Sequence, residues 1–166
     1  MEPVRLAVLI LAALTVGAMT GVMGLYANTI MPGLRRTDDR TFVGAFQAID
    51  MAIINPLFLM TFFGGLVFTG LAVVLHLGED VRSILPWTVA AFVLYLVVII
   101  ATVTINVPLN DRIKAAGHPD DIDVTETRQT FNEVRWVRSN LVRTALTFTA
   151  FACLLWALVE AGATTT

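Results

Sequence analysis

Charged residues are scarce in this sequence, and their absence from four long stretches is its most informative property. Lys, Arg, Asp and Glu account for 14% of the 166 residues, compared with about 25% in soluble domains. No charged residue occurs in segments 6–34, 51–75, 83–110 and 144–159. A helix of about 20 residues crosses the core of a bilayer, so three segments are long enough and the fourth is short by about one turn. This pattern excludes an ordinary soluble domain.

Cysteine and histidine are also nearly absent. Cys153 is the only cysteine, so the chain cannot form an intrachain disulfide. The two histidines, His76 and His118, have no cysteine nearby in the sequence, whereas a structural zinc site usually takes four Cys or His ligands. We therefore expect no metal site, and we expect no nucleic-acid partner.

Apolar residues dominate what is present. They make up 57% of the chain, and the mean hydropathy is +0.77. Inside a bilayer a segment must satisfy its own backbone hydrogen bonds, so the uncharged segments should be helices. The sequence predicts an all-α fold, an integral membrane four-helix bundle with antiparallel up-down-up-down order, in a single domain over residues 1–166. The predicted spans cover about residues 6–29, 51–75, 85–107 and 141–162.

The first and the last predicted spans each have an unusual feature. Arg5 followed by the apolar run 6–14 is similar to a signal peptide, but the uncharged stretch continues to Ile30. That is longer than the apolar region of about 7–15 residues in a signal peptide, so we favour an uncleaved first span. In span 4, Arg143 lies near the membrane surface, and we expect its long side chain to extend to the interface.

Prolines predict where the spans end or bend. Pro32 and Pro108 should end spans 1 and 3, because proline disfavours helix before it and cannot donate a backbone hydrogen bond. Pro56 lies inside span 2, where it should produce a kink near Asn55.

Acidic residues predict helix starts outside the spans. Asp38 or Asp39 is positioned to cap a helix that begins near Arg40. Asp123 and Glu126 have the spacing of a capping box for a helix that starts directly after Asp123. We expect this helix to continue without interruption into span 4.

Three glycines, Gly17, Gly21 and Gly24, share one face of span 1. Small residues on one face let another helix approach closely. Packing within the bundle is the favoured interpretation, and a dimer interface is the alternative.

Lys and Arg are concentrated on one side of the predicted bundle. Nine of the eleven lie in loop 1 (residues 34–40), in loop 3 (residues 111–130) or at the adjoining start of span 4. Only Arg5 and Arg82 lie on the other side. Basic residues next to spans favour the cytoplasm, so the sequence predicts a multi-pass protein of the cell membrane with loops 1 and 3 cytoplasmic and both termini outside.

Polar side chains near the membrane collect at the same end. Polar groups in apolar surroundings are costly unless they are paired, so a cluster of them is a candidate functional site. The cluster comprises Tyr26 and Asn28 at the end of span 1, Gln47, Asp50 and Asn55 before span 2, Asn106 and Asn110 at the end of span 3, and Asn132, Trp136, Asn140, Arg143 and Thr144 along one face entering span 4.

Several motifs run through these segments. They are Met31-Pro32-Gly33-Leu34, Asp39-Arg40-Thr41-Phe42, Gln47 with Ile49, Asn55-Pro56, Asn106-Val107-Pro108-Leu109-Asn110, and Trp136-Val137-Arg138 followed by Asn140, Arg143 and Thr144. Together they resemble the anthrone oxygenase-like family of small four-span membrane proteins, over nearly the whole chain. Ser139 departs from the family pattern, in which an aromatic residue often precedes the asparagine. The resemblance implies a cofactor-independent oxygenase of the kind that turns an anthrone into an anthraquinone.

Such a reaction needs a base, a group that stabilises an oxyanion, and a flat apolar pocket. Under this interpretation the catalytic residues are Asp50 as the base, with Asn140 and Arg143 at the oxyanion. The substrate-binding residues are Asn28, Asn106, Asn110, Trp136 and Phe46, with Trp136 and either Phe46 or Phe58 on the two faces of a ring. The alternative is that the amides and the arginine only cap helix ends and brace the bundle.

Three functional hypotheses follow. The first is an oxygenase that acts on an apolar aromatic or quinone-like small molecule at the membrane. The second is a non-enzymatic membrane component or a regulatory subunit of a partner complex. A small transporter is the weakest, since the sequence has no inverted repeat and no charge in the middle of a span. The expected partners are an apolar small-molecule ligand and membrane lipid. A homo-oligomer is a further possibility that the sequence leaves open.

Overall fold

The computed structural model describes residues 3–78 and 82–163, and within these residues every regular element is helical. Two π-helical turns, Tyr26–Ile30 and Thr102–Asn106, join α1 to α2 and α5 to α6. The α-helices are α1 Pro3–Leu25, α2 Met31–Leu34, α3 Asp39–Ile53, α4 Pro56–Leu75, α5 Leu85–Ala101, α6 Val107–Ala115, α7 Val124–Phe131 and α8 Glu133–Ala163.

Four helical segments are long and apolar enough to cross a membrane: Pro3–Leu34, Pro56–Leu75, Leu85–Ala115 and Val124–Ala163. In the most apolar part of each, only 22–33% of the residues are buried inside the protein. The remaining apolar side chains face outward, where only lipid gives them a favourable environment. The chain is therefore a multi-pass, all-α membrane protein, which confirms the predicted fold class.

The four spans form a closed ring in which α1 and α5 each pack against both α4 and α8. A buried cluster at one end contains Leu9 from the start of α1, Ala72 from the end of α4, Ile84 just before α5 and Ala157 from the end of α8. Starts of two spans thus meet ends of the other two. This is the pairing that an up-down-up-down order requires.

The middle of the bundle is held by a close approach between α4 and α5. The hydroxyl of Tyr95 donates a hydrogen bond to the carbonyl of Phe62 at 2.9 Å. A Cβ on Gly65 would lie 2.6 Å from the Tyr95 ring, so only glycine leaves room for this contact. On α1, a Cβ on Gly17 would lie 2.8 Å from the ring of Phe151, whereas nothing lies within 4 Å of a Cβ at Gly21 or Gly24. Only one glycine of the predicted face therefore serves close packing inside the described bundle.

Pro32 and Pro108 do not end their helices, and the prediction that they would is wrong. Each follows a π turn in which an N–H donates five residues back, from Met31 to Tyr26 and from Val107 to Thr102. The wider turn moves away the carbonyl that a proline ring would otherwise meet four residues back. Helix therefore continues to residue 34 in the first span and to residue 115 in the third.

Pro56 interrupts the chain more strongly than predicted. It is the first residue of α4, and α3 ends at Ile53 as a separate helix. Asn55 lies between them in an extended conformation, and its side chain accepts a hydrogen bond from the Phe58 N–H at 3.0 Å. The predicted kink inside one helix is instead a break between two.

The helix caps agree with the sequence at both predicted starts. Asp38 caps α3 and accepts from the N–H of Thr41 at 2.9 Å, and Asp123 caps α7. However, α7 does not continue into α8, because Asn132 adopts a left-handed conformation with φ 56°. The predicted continuous helix is therefore wrong at this residue.

Candidate functional site

A cavity of about 250 Å³ lies at the polar end of the bundle, lined by α1, α3, α4, α6 and α8 and by both π turns. This volume is slightly below the range of roughly 300–1,000 Å³ that ligand pockets have. Most of the wall is apolar. The polar side chains that line it are Tyr26, Asp50, Thr102, Asn106, Asn110, Asp111, Lys114, Trp136, Asn140 and Arg143.

Arg143 points into this cavity and is only 6% exposed, so the prediction that it extends to the membrane interface is wrong. Its two terminal nitrogens donate to Thr102 Oγ1 at 3.0 Å and to Asn140 Oδ1 at 2.9 Å. Among residues 3–78 and 82–163, its Nε has no hydrogen-bond partner and no carboxylate lies within ion-pair distance. A buried guanidinium without an anion is costly, so the cavity favours an anionic ligand group.

Asn140 holds the guanidinium in place. Its amide nitrogen donates to the carbonyl of Met23 at 3.1 Å, which ties α8 to α1. This bond directs the side-chain oxygen toward Arg143. The structure thus brings together Asn140 and Arg143, as their spacing on one helix face predicts.

Asp50 is the buried carboxylate of the cavity. Its Oδ1 accepts a hydrogen bond from Asn110 at 2.6 Å, and Asn110 in turn accepts from Trp136 Nε1 at 2.7 Å. Its Oδ2 lies 2.9 Å from the ammonium nitrogen of Lys114. The Lys114 ammonium is within hydrogen-bond distance of Oδ2. A carboxylate oxygen has two lone pairs, so Oδ2 keeps one free to accept a proton.

The aromatic residues form one wall rather than a slot. Phe46 and Trp136 contact each other edge to face, with ring centroids 5.7 Å apart and an interplanar angle of 89°. They leave no space for a ligand ring between them, so the predicted pairing of these two around a ring is wrong. Phe58 stacks on Phe62 on the α4 side of the cavity. The alternative arrangement, in which Trp136 and Phe58 contact the two faces of a ligand ring, stays a prediction.

Asn106 lines the cavity but is fully engaged with α8. Its Oδ1 accepts from the hydroxyl of Ser139 at 2.6 Å, and its nitrogen donates to the carbonyl of Trp136 at 3.4 Å. Ser139 therefore supports this amide. These contacts favour a bracing role for Asn106.

The structure does not bring Asn28 to the cavity, and its predicted convergence with the other polar residues is wrong. The side chain is exposed, and its oxygen accepts a hydrogen bond from the hydroxyl of Thr29. Tyr26 lines the cavity instead. Asn28 lies two positions after Tyr26 in the same π turn, which is roughly half a turn around the helix axis, so it points to the opposite side.

Three polar cavity residues, Thr102, Asp111 and Lys114, are absent from the predicted site. A spacing signal could have found two of them, because Thr102, Asn106, Asn110 and Lys114 follow one another at four-residue intervals and all line the cavity. Four-residue spacing places side chains on one helix face. In the described residues, no three His, Cys, Asp or Glu side chains form a group that could hold a metal ion.

Comparison with known proteins gives one match. The sequence model of a family described as anthrone oxygenase matches residues 57–153, which is more than half of the chain. This segment includes Asn106, Asn110, Trp136, Asn140 and Arg143, whereas Phe46 and Asp50 precede it. No curated protein and no solved structure matches the chain significantly.

Proposed function

Because this chain belongs to the anthrone oxygenase family, we propose that it is a membrane-embedded oxygenase that acts on an enolisable aromatic ketone. The observation that carries the proposal is that a buried carboxylate, Asp50, and a buried guanidinium without a carboxylate partner, Arg143, line the same cavity. An acid–base reaction that creates an oxyanion needs both groups.

Proton removal is the first step. Asp50 Oδ2 takes a proton from the carbon that is conjugated with the carbonyl, and the negative charge moves to the carbonyl oxygen. Arg143 has no anion of its own, so its interaction with the substrate strengthens as this charge develops. Interactions that are stronger in the transition state than in the ground state accelerate a reaction.

Oxygen then reacts with the electron-rich carbon. The carbanion gives its electron pair to O2, a carbon–oxygen bond forms, and the proton held by Asp50 returns to the peroxide oxygen. Loss of water from the hydroperoxide leaves a second carbonyl. One O2 is consumed, the ketone loses two hydrogen atoms, and one oxygen atom leaves as water. The residues provide the base, the cationic partner and an apolar enclosure.

We also propose that the polar end of the bundle faces the cytoplasm of the cell. Arg143 is buried in the cavity and Arg128 is paired with Asp39 and Glu133, so neither is free to interact with the membrane surface. Exposed basic residues still predominate at this end, which supports the orientation. They are Arg35, Arg36, Arg40, Arg112, Arg135 and Arg138.

The test is oxygen-dependent turnover by the full chain in lipid nanodiscs. With anthrone as substrate, we expect O2 uptake and anthraquinone formation at a ratio of one to one, both abolished under nitrogen. The matched control is Asp50→Asn in identical discs, which corrects for the spontaneous oxidation of anthrone. Equal rates for the native protein, the variant and empty discs would refute the proposal.

A further inference from the structure

The cavity has an opening, and its position follows from which lining residues are exposed. The lining residues from α1 and α8 are buried or half-buried. All the exposed ones lie in two segments. Segment 54–63 comprises the first half of α4, its cap and the residue before the cap, and segment 103–111 comprises the second π turn and the start of α6. The cavity is therefore closed by α1 and α8 and opens between α4 and segment 103–111.

The rim of this opening is apolar at the level of the membrane. Its exposed apolar residues are Ile54, Leu59, Phe63, Val103 and Val107. All five lie in the charge-free segments 51–75 and 83–110, which are the parts of the chain that match the hydrocarbon core. The opening consequently faces lipid chains rather than water.

The polar groups of the cavity lie at the end away from this apolar opening. Asp50, Asn140 and Arg143 are buried, and Lys114 leads from Asp50 toward the exposed side chain of Asp111. A ligand inside the cavity therefore meets charge at one end and lipid at the other. The enclosed volume of about 250 Å³ holds a compact ring system and little more.

We propose that the natural ligand is an amphiphile with two parts: an aromatic ketone or phenol head in the cavity, and an alkyl or isoprenoid tail that passes between α4 and segment 103–111 into the bilayer. The identity of the head rests on the proposed function, and the tail rests on the opening. A tail that stays in lipid before and after binding need not fit into the enclosed volume. A closed cavity of this size would reject it.

The test measures equilibrium binding under nitrogen, so that no turnover occurs. The probes are anthrone and an anthrone with a dodecyl chain on a ring carbon remote from the reacting carbon. The full chain is placed in phosphatidylcholine nanodiscs, and concentrations are expressed per mole of lipid to remove the effect of partitioning. We expect both probes to bind with similar affinity and to compete with each other.

Val103→Trp places a large side chain at the opening, and Val97→Trp is the matched control at an exposed position of the same span, outside the cavity. We expect Val103→Trp to weaken binding of the dodecyl probe by about tenfold or more relative to its effect on anthrone binding, the scale of a steric clash. Val97→Trp should affect neither probe. Failure of the dodecyl probe to bind, or equal effects of Val103→Trp on both probes, would overturn the inference.

Oxygen uptake measured separately in air distinguishes this inference from the proposed function. If Val103→Trp weakens binding of the dodecyl probe but the protein takes up no O2, the inference about the opening is supported and the oxygenase proposal is wrong. If the protein takes up O2 with anthrone but does not bind the dodecyl probe, the oxygenase proposal is supported and the inference about the tail is wrong.

Discussion

The ammonium nitrogen of Lys114 lies 2.9 Å from Oδ2 of Asp50, and this contact joins the buried carboxylate to the aqueous end of the bundle. The same nitrogen lies 3.1 Å from Asp111 Oδ1, and the Asp111 side chain is 62% exposed. A single lysine thus bridges one buried carboxylate and one exposed carboxylate. The two carboxylates differ in burial while sharing a partner, which makes them a natural pair for mutagenesis.

Replacing Asp50 by Asn removes the proposed base and keeps the shape of the side chain. We expect Asp50→Asn to lower kcat by about 10²–10⁴-fold, the usual contribution of a general base, while ligand binding is retained. Asp111→Asn is the control, because it removes the exposed partner of the same lysine. Steady-state oxygen uptake checks both variants. Equal losses in the two would show that Asp50 acts only through its ion pair.

Replacing Arg143 by Lys keeps the charge but not the planar fork that contacts Thr102 and Asn140 together. We expect kcat to fall by about 10²–10³-fold, as for the loss of one oxyanion donor. The substrate affinity should change far less, because the neutral ketone needs the guanidinium least. Arg138→Lys, at an exposed position on the same helix, should be silent. A fall in activity no larger than the accompanying loss of thermal stability would indicate a brace instead.

Replacing Gly65 by Ala should destabilise the bundle from a position that does not itself line the cavity. The new methyl group would overlap the Tyr95 ring and disturb its hydrogen bond to Phe62, at a cost of about 1–3 kcal/mol for an overpacked core. Gly24→Ala meets no atom within 4 Å and should be neutral or stabilising by up to about 1 kcal/mol. Thermal unfolding in detergent compares them, and equal melting temperatures would contradict the packing described for α4 and α5.

The proposed orientation places both chain termini outside the cytoplasm. A reporter fused after Thr166 should therefore behave as extracytoplasmic. Alkaline phosphatase at this position should be active, and green fluorescent protein should not fluoresce. A reporter inserted in loop 3 should give the reverse. Bright cytoplasmic fluorescence from the C-terminal fusion would reverse the orientation and leave the bundle intact.

Acid should weaken the start of α3. The N–H and hydroxyl of Thr41 donate to the side chain of Asp38 and hold its pKa below the usual 3.8. A carboxyl whose pKa is lower in the folded state stabilises the fold above its unfolded pKa and loses that contribution as the pH falls through the folded value. The stability difference between the native protein and Asp38→Asn should therefore shrink below about pH 3.8. Thermal melts across this range check it, and a constant difference would contradict it.

The predictions that held depend on short stretches of chain. The cap of α3 at Asp38 and the cap of α7 at Asp123 involve residues within one helical turn, so local sequence is sufficient to find them. The four membrane segments are similarly local, since the thickness of the bilayer sets the length of uncharged chain that each one needs.

The predictions that failed depend on how the backbone deviates from a regular α-helix. Pro32 and Pro108 are accommodated by π turns, and Asn132 leaves the helix through a left-handed conformation. Proline and asparagine permit these conformations, but they also occur in regular helix ends. The residue type therefore identifies where a helix can deviate, but it does not determine which backbone conformation is adopted there.

The sequence by itself determined that this chain is helical and membrane-spanning, that one end of it is polar, and which family it resembles. Only the tertiary structure decided which polar side chains meet. It turns Asn28 outward, buries Arg143, brings Lys114 to Asp50, and leaves the cavity open between α4 and segment 103–111. A bilayer sets the length of a helix that crosses it, and this length is visible in the sequence as an apolar segment. The rotation of each helix about its axis is set by its contacts with the other helices and by π turns that shift its phase, and these depend on residues far apart in the chain.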